Sequence, residues 1–190
     1  MVRTFLAIDL PNDVKEYLCK IQNSLKQAKA DVKWVRTELM HLTVRFLGEI
    51  SQDMLARVKD ATEIATNGLD MFELKTSGLG VFPNLKRPRV VWVGLTGELR
   101  SLNILKQRID NRLFEIGFEK EDRPFSPHLT LGRIKSNKNL SKLTQMIIEQ
   151  GSIVTTQKPI SFKVKELIVY KSLLSPKGPS YSVISRHSIG

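Results

Sequence analysis

The first half of this 190-residue chain alternates between short apolar runs and segments with helical spacing of apolar residues. Residues 5–10 form an apolar run that ends at Pro11, which predicts a strand. Residues 12–30 follow with apolar side chains every three or four positions, which predicts an amphipathic helix. Further elements are a short extended piece over 32–35, a strand over 41–47, a helix over 51–66 and strands over 72–79 and 89–95.

The second half of the chain repeats this plan. A helix is predicted over residues 99–116, because Leu102, Leu105, Ile109 and Leu113 share one face. The remaining elements are a strand over 128–134, a helix over 140–149 that ends at Gly151, a strand over 161–170 and a last strand from Tyr181. Helices and strands joined by short loops predict an α+β fold with mostly antiparallel sheets.

An internal repeat relates the two halves. Residues 41–44 read His-Leu-Thr-Val and residues 128–131 read His-Leu-Thr-Leu, and a glycine and a predicted helix follow each motif. A duplicated unit predicts two lobes that face each other across a pseudo-two-fold axis. Since no Gly/Ser-rich linker separates the halves, residues 1–190 are expected to form one bilobal domain with interleaved lobes.

The two motifs are the candidate site, because alternate residues of a strand point to the same face. His41, Thr43 and Arg45 are expected to stand side by side on the first strand, and His128 and Thr130 on the second. Arg133 has the opposite parity and reaches this face only if the strand contains a bulge or ends early.

Two imidazoles and two hydroxyls around one point suit a phosphate ester. One neutral histidine can deprotonate an attacking water or hydroxyl, while a protonated one delivers a proton to the departing ribose oxygen. The threonine hydroxyls and an arginine can donate hydrogen bonds to the phosphoryl oxygens. Strand period alone does not say which histidine is the acid. His187 stands outside any such motif and is expected to be structural.

Other kinds of catalytic site find little support in the sequence. A zinc site needs three or four Cys, His or carboxylate ligands, and neither motif contains a second one. The Gly-x-Ser-x-Gly nucleophile elbow and the Gly-x4-Gly-Lys-Ser/Thr phosphate loop are both absent from the sequence. We therefore expect catalysis without a metal or another cofactor.

The charge favours a polyanionic partner. The net charge is +11, and the excess lies mainly in residues 96–190, where 16 Lys/Arg stand against 8 Asp/Glu. Such a surface favours nucleic acid through counterion release. The single cysteine, Cys19, allows no internal disulfide and fits the cytoplasm. No apolar run could span a bilayer, and no heptad or apolar patch predicts association, so we expect a monomer without membrane contact.

The motifs and their surroundings resemble the two-histidine (2H) phosphoesterase superfamily, and within it the bacterial and archaeal RNA 2′,3′-cyclic phosphodiesterase family, also called the 2′-5′ RNA ligase family. The resemblance covers nearly the whole chain. Its segments read Phe-Leu-Ala-Ile-Asp-Leu at 5–10, His-Leu-Thr-Val-Arg-Phe-Leu-Gly-Glu at 41–49, Arg-Pro-Arg-Val-Val-Trp-Val-Gly at 87–94, Arg-Pro-Phe-Ser-Pro-His-Leu-Thr-Leu-Gly-Arg at 123–133, Tyr-Lys-Ser-Leu-Leu at 170–174 and Pro-Lys-Gly-Pro-Ser-Tyr at 176–181. Val44 replaces the leucine that the family often has, which is a conservative change.

This resemblance implies a bilobal α+β fold in which two mostly antiparallel sheets flank a central basic groove and the helices lie outside. It implies hydrolysis of RNA 2′,3′-cyclic phosphate ends to 2′-phosphate ends, with His41 as proton donor and His128 as proton acceptor. It implies that Thr43 and Thr130 hold the phosphate, and that a reverse reaction could join tRNA halves through a 2′-5′ bond. Two alternatives remain open: an RNA-binding module without turnover, and a cyclic phosphodiesterase for a small nucleotide.

Further candidates for RNA contact lie outside the motifs. Phe125, Trp92 and Tyr181 could stack a base, with core packing as the alternative for each. The basic residues that could follow an RNA backbone, or simply form solvated faces, are Arg36, Lys86, Arg87 and Arg89.

Overall fold

A computed structural model describes residues 1–156, 159–176 and 178–190, and the side chains of these residues except 152–156. Four α-helices and nine strands lie in the described part of the chain. In order they are β1 (Val2–Asp9), α1 (Asn12–Leu25), β2 (Val32–Trp34), β3 (His41–Ile50), α2 (Gln52–Thr66), β4 (Phe72–Phe82), β5 (Val90–Gly97), α3 (Leu99–Glu115), β6 (His128–Ile134), α4 (Leu140–Thr156), β7 (Ser161–Val164), β8 (Glu166–Ser175) and β9 (Gly178–Ser188).

All the strands pair antiparallel, as the interleaved pattern predicts. Their order is β7-β4-β5-β6-β3-β1-β8-β9, and β2 pairs with the end of β6. The two halves of this order meet at β3 and β6, which pair through Leu42 and Leu129 alone among the described residues. The two sheets that the family resemblance implies are therefore the halves of one continuous sheet, and the two motif strands are its central neighbours.

The apolar residues of the strands and helices form the core on one face of this sheet. Leu42 and Val44 on β3, and Leu129 and Leu131 on β6, are each no more than 2% exposed and belong to this core. Helix α1 crosses to the other half, where Gln22 Nε2 donates to the carbonyl of Leu131 at 2.9 Å. The opposite face of the two central strands is left for the groove.

Both motif strands contain a β-bulge at the same place, directly after the threonine. Opposite β1, Thr43 pairs with Ala7 but Arg45 pairs with Leu6, so Val44 is the extra residue. Opposite β5, Thr130 pairs with Trp92 but Gly132 pairs with Val91, so Leu131 is extra. A bulge reverses the side-chain alternation beyond it, and this reversal decides which arginine reaches the groove.

Several predicted element boundaries differ in the structure. The first helix ends at Leu25 rather than near residue 30, β4 extends to Phe82, and the last strand begins at Gly178 rather than at Tyr181. Helix α4 continues through Gly151 to Thr156, because glycine inside a helix costs only about 1 kcal/mol relative to alanine and does not by itself end it. The predicted strand over 161–170 is two strands that break at Lys165, where the chain passes from β4 in one half to β1 and β9 in the other. No helix among the described residues is long and apolar enough to cross a membrane.

Candidate active site

The register of β3 and β6 brings the two motifs together. Leu42 lies opposite Leu129, and both side chains point into the core. The residues that flank them therefore project from the other face, so that His41 neighbours Thr130 and Thr43 neighbours His128. The register therefore places the two imidazoles and the two hydroxyls on one face, at neighbouring positions of two adjacent strands at the centre of the sheet.

Each imidazole is fixed in the same way by the backbone. His41 Nδ1 lies 2.7 Å from the carbonyl oxygen of Leu39, and His128 Nδ1 lies 2.7 Å from that of Ser126. A carbonyl oxygen only accepts, so Nδ1 carries the proton in both rings and Nε2 holds the lone pair when the ring is neutral. Nε2 is therefore the nitrogen that exchanges protons in each motif.

Thr43 is placed to serve the first imidazole directly. Its Oγ1 lies 3.0 Å from His41 Nε2. A hydroxyl can donate to the neutral ring and accept from the protonated ring, so either form of His41 can make this contact in the absence of substrate.

Aromatic rings enclose His41. The Phe5 ring lies 5.0 Å from the imidazole, between centroids, and the Tyr181 ring meets it edge-on at 5.4 Å. Burial lowers the pKa of His41, while the hydrogen bond to the Leu39 carbonyl and the nearby Asp9 carboxylate raise it in part. The net pKa is below the usual value, so the neutral form of His41 dominates at neutral pH in the free protein.

His128 has a different aromatic wall. The Phe82 ring stands edge-on to it at 4.9 Å, and the Trp92 ring, 4.9 Å from Phe82, lies 6.4 Å from the imidazole. Trp92 lies over Gly80, where a Cβ atom, if one were present, would come within 2.3 Å of the indole. The glycine therefore makes room for the ring that backs this half of the groove.

Arg45 does not face the groove, contrary to the expectation from strand alternation. The bulge at Val44 turns its side chain to the core face, where it is 7% exposed and pairs with Asp110 and Glu121. Arg45 is thus removed from the candidate phosphate-binding residues.

Arg133, in contrast to Arg45, faces the groove. The equivalent bulge in β6 places it opposite Val90, on the face of Thr130 and His128. Arg133 is exposed, and its charge lowers the pKa of Tyr181, although burial raises that pKa more. Arg133 is therefore the motif arginine that faces the groove.

The duplicated motifs and their shared groove have a match among known proteins. The family described as LigT like phosphoesterase matches the chain twice, over residues 8–92 and 93–181, with one His-Leu-Thr motif in each copy. The chain belongs to this family.

Relatives of this LigT-like phosphoesterase cover almost its whole length. RNA 2′,3′-cyclic phosphodiesterases of Methanothermobacter thermautotrophicus and Methanocaldococcus jannaschii are 35% and 36% identical to it, covering 95% and 96% of this chain and 95% and 98% of their own. Escherichia coli LigT complexed with 3′-AMP shares the fold with a TM-score of 0.76 and 25% identity, covering 99% of this chain and 98% of LigT. A Thermus thermophilus protein has a TM-score of 0.80 at 26% identity, with 98% and 97% covered.

The other predicted contact residues of this LigT-like phosphoesterase divide between groove and surroundings. Trp92 and Tyr181 lie beside the two histidines, whereas Phe125 packs under the Lys106 ammonium on the core side, 5.6 Å from the ring centroid. Arg36 donates to the carbonyl of Pro179 at 3.1 Å. The remaining basic candidates are exposed on the loop after β4 or at its end: Lys86, Arg87 and Arg89.

Several residues of the site do not stand out in the sequence. Phe5 and Asp9 share the groove face of β1, and their alternate spacing along a recognisable strand is a signal that could have found them. Phe82 and Tyr170 lie on strands that are distant in sequence from the motif they approach, so only the folded structure places them beside the groove. Tyr170 stacks on Phe5 at 5.2 Å, and burial first, with the Asp9 charge second, raises the pKa of Tyr170 to about 12.

Proposed function

We propose that this protein hydrolyses 2′,3′-cyclic phosphate ends of RNA to 2′-phosphate ends. The observation that carries the proposal is the pair of histidines on adjacent strands, each with Nδ1 bound to a backbone carbonyl and Nε2 available for proton transfer. The names of the relatives supply the substrate class.

In the first half of the reaction, we infer that His128 acts as the proton acceptor. Its Nε2 takes a proton from a water molecule that attacks the phosphorus of the cyclic ester. The Ser126 carbonyl stabilises the resulting imidazolium by accepting from Nδ1–H. Thr130 and Thr43 donate hydrogen bonds to the non-bridging oxygens as their negative charge increases.

In the second half, His41 donates the Nε2 proton to the departing ribose 3′ oxygen. The bond from phosphorus to the 3′ oxygen breaks, and the phosphate stays on the 2′ oxygen. This role requires the protonated ring, which burial disfavours in the free protein. The substrate supplies the compensation, because the cyclic phosphodiester brings a negative charge beside the imidazole and raises its pKa.

The same arrangement supports a ligase-like reaction with a different nucleophile. A 5′ hydroxyl in place of water attacks the cyclic phosphate, the bond to the 3′ oxygen breaks, and a 2′-5′ linkage results. tRNA halves that carry a cyclic phosphate on one fragment and a 5′ hydroxyl on the other would be substrates of this kind. We expect the protein to act as a monomer in the cytoplasm.

The test is a product assay on a short RNA that ends in a 2′,3′-cyclic phosphate, with EDTA present. We expect the wild type to release only the 2′-phosphate product. His41→Ala and His128→Ala should each lose about 10²- to 10⁴-fold in rate, the usual contribution of general acid–base catalysis.

His187→Ala is the matched control, because this histidine lies away from the groove between Glu63 and Ser185. Its variant should keep wild-type kcat. A folded wild type that binds the RNA without converting it would replace the proposal with an RNA-binding module, and loss of activity in EDTA would contradict catalysis without a metal.

A further inference from the structure

The loop that leads into the second motif has little backbone support of its own. It connects α3 to β6, and no backbone–backbone hydrogen bond involves residues 119–127 in the described part of the chain. The first motif is entered differently, because Leu39 and Met40 donate backbone hydrogen bonds to Arg36 and Thr37 in a single 3-10 turn. Yet the carbonyl of Ser126, at the end of this loop, orients His128.

A cluster of four charged residues holds the loop instead. Arg45 on β3 donates to the carbonyl of Glu119 and lies 3.0 Å from the carboxylate of Glu121. Lys106 on α3 bonds Glu121 at 2.7 Å and both oxygens of Asp110 at 2.6 Å. Two cations thus meet two carboxylates.

The two cations of this cluster are buried, whereas its two carboxylates reach partly into solvent. The side chains of Arg45 and Lys106 are 7% and 6% exposed, and those of Asp110 and Glu121 are 28% and 40% exposed. Because a buried cation that loses a carboxylate partner is left uncompensated, the needs of Arg45 and Lys106 disfavour a position of the loop in which Glu121 is withdrawn. Burial raises the pKa of Glu121, but the hydrogen bonds and charges of Lys106 and Arg45 lower it more, so the carboxylate stays ionised at neutral pH.

We propose that Arg45, Lys106 and Glu121 are positioning residues for His128: they fix the 119–127 loop so that the Ser126 carbonyl holds the imidazole with Nε2 towards the phosphate. Arg45 follows the first motif on β3, so the strand that carries one histidine orients the other. This role rests on the proposed function. It means that Arg45, which follows His41 on the same strand, supports catalysis without contacting the substrate.

The test uses Glu121→Gln, which keeps the shape of the side chain and removes its charge, and Arg45→Met, which also removes the bond to Glu119. Glu115→Gln is the matched control, because Glu115 forms an exposed ion pair with Arg112 at the end of α3. Nitrogen-15 NMR of the histidine rings reports the tautomer of each imidazole without any substrate.

We expect wild type and Glu115→Gln to show the Nδ1–H tautomer at His128. In Glu121→Gln and Arg45→Met, the His128 signals should shift towards the other tautomer or broaden, with His41 and His187 unchanged. On the cyclic-phosphate RNA, kcat should fall about 10- to 100-fold, as for a small displacement of a catalytic group, while KM stays near the wild-type value. Arg45→Lys should restore part of the kcat, because lysine keeps the charge but loses the forked geometry.

Unchanged His128 signals in a folded Glu121→Gln variant would overturn the proposal, whatever its activity. A wild type without activity on cyclic phosphate would overturn the proposed function instead, and the NMR comparison would still decide the positioning role.

Discussion

The Asp9→Asn substitution tests the assignment of His41 as proton donor. Asp9 lies directly opposite His41 in the β1–β3 pairing, and its carboxylate favours the imidazolium. Lys15, whose Nζ lies 2.7 Å from Asp9 Oδ1, opposes this effect. The asparagine keeps an oxygen for the backbone N–H of Leu10, which Asp9 Oδ1 accepts at 2.9 Å, so the local fold should be retained.

The magnitude follows from the strand geometry. Directly opposed residues have Cβ atoms about 5 Å apart, and two unit charges at that distance interact by about 0.8 kcal/mol in water and about 3 kcal/mol at an effective dielectric constant of 20. Because the Asp9 side chain is 40% exposed, solvent screens the attraction towards the lower of these figures. We expect Asp9→Asn to lower the pKa of His41 by destabilising its imidazolium by about 1.4 kcal/mol, a factor of about 10 in proton affinity.

The sign of the effect on rate depends on the role of His41. If the ring is the donor, fewer free molecules carry the required proton, so kcat/KM at pH 7 should fall about 10-fold and the alkaline limb of its profile should move down by about one unit. The difference from wild type should vanish as the pH falls below both pKa values. Lys15→Met removes the opposing charge, so the alkaline limb should move up in that variant.

Two measurements check this reasoning together. Proton NMR titration of the free variants follows the His41 ring directly, which avoids assigning macroscopic pKa values from kinetics alone. The pH profile of kcat/KM then reports the functional consequence. An Asp9→Asn variant with the expected drop in the His41 pKa but with an unchanged rate at pH 7 and a shifted acid limb would make His41 the acceptor, and an unmoved His41 pKa would refute the electrostatic argument itself.

Three further predictions follow from other parts of the structure. His187→Ala should cost about 1–3 kcal/mol in the free energy of unfolding, measured in urea, since it removes a buried ring whose two nitrogens bond Glu63 on α2 and Ser185 on β9; an unchanged midpoint would contradict this. Gly80→Ala should alter the near-ultraviolet signal of tryptophan and lower Tm, because its Cβ would overlap the Trp92 ring. Gly151→Ala, with its nearest contact at 3.9 Å, should leave that signal unchanged and raise Tm slightly, because alanine is the better helix former. The salt dependence of kcat/KM should be steeper for an RNA oligonucleotide than for a mononucleoside cyclic phosphate, and equal slopes would favour the small-nucleotide alternative.

The positions of the strands and the two histidines could be predicted because both depend on local pattern. Leu42 and Val44, like Leu129 and Leu131, alternate with polar neighbours, and this alternation holds as far as the threonine of each motif. The internal repeat predicts in addition that the two histidines come together, because a duplicated unit places its copies in related positions.

The arginines could not be assigned in this way, because alternation fails at a bulge. The extra residue in each strand is defined by its neighbours, β1 for Val44 and β5 for Leu131, and not by the strand itself. One inserted residue exchanges the faces of everything that follows. Arg45 consequently moves from the groove to the buried charged cluster, and Arg133 moves in the opposite direction.

The predicted end of α4 and the predicted single strand over 161–170 were wrong for a related reason. Gly151 permits a helix end but does not impose one. A Cβ atom at Gly151 would lie 3.9 Å from Leu79 of β4, so the helix packs on this strand at the glycine and continues past it. The break at Lys165 separates two strands that are continuous in pattern but pair in different halves of the sheet. Tertiary pairing, rather than local propensity, sets both boundaries.

Duplication gives this groove two histidines of one kind, and the proposed reaction needs them to behave differently. The difference must therefore come from what surrounds each ring rather than from the motif. His41 is enclosed by Phe5 and Tyr181, beside the Asp9 and Lys15 pair, and is entered from a turn with its own hydrogen bonds. His128 packs against Phe82, and it follows a loop whose Glu121 pairs with Arg45 and Lys106. Environments that separate two chemically equal groups are how an acid and a base arise from one residue type, so exchanging these surroundings, not the histidines, is the change that would exchange their roles.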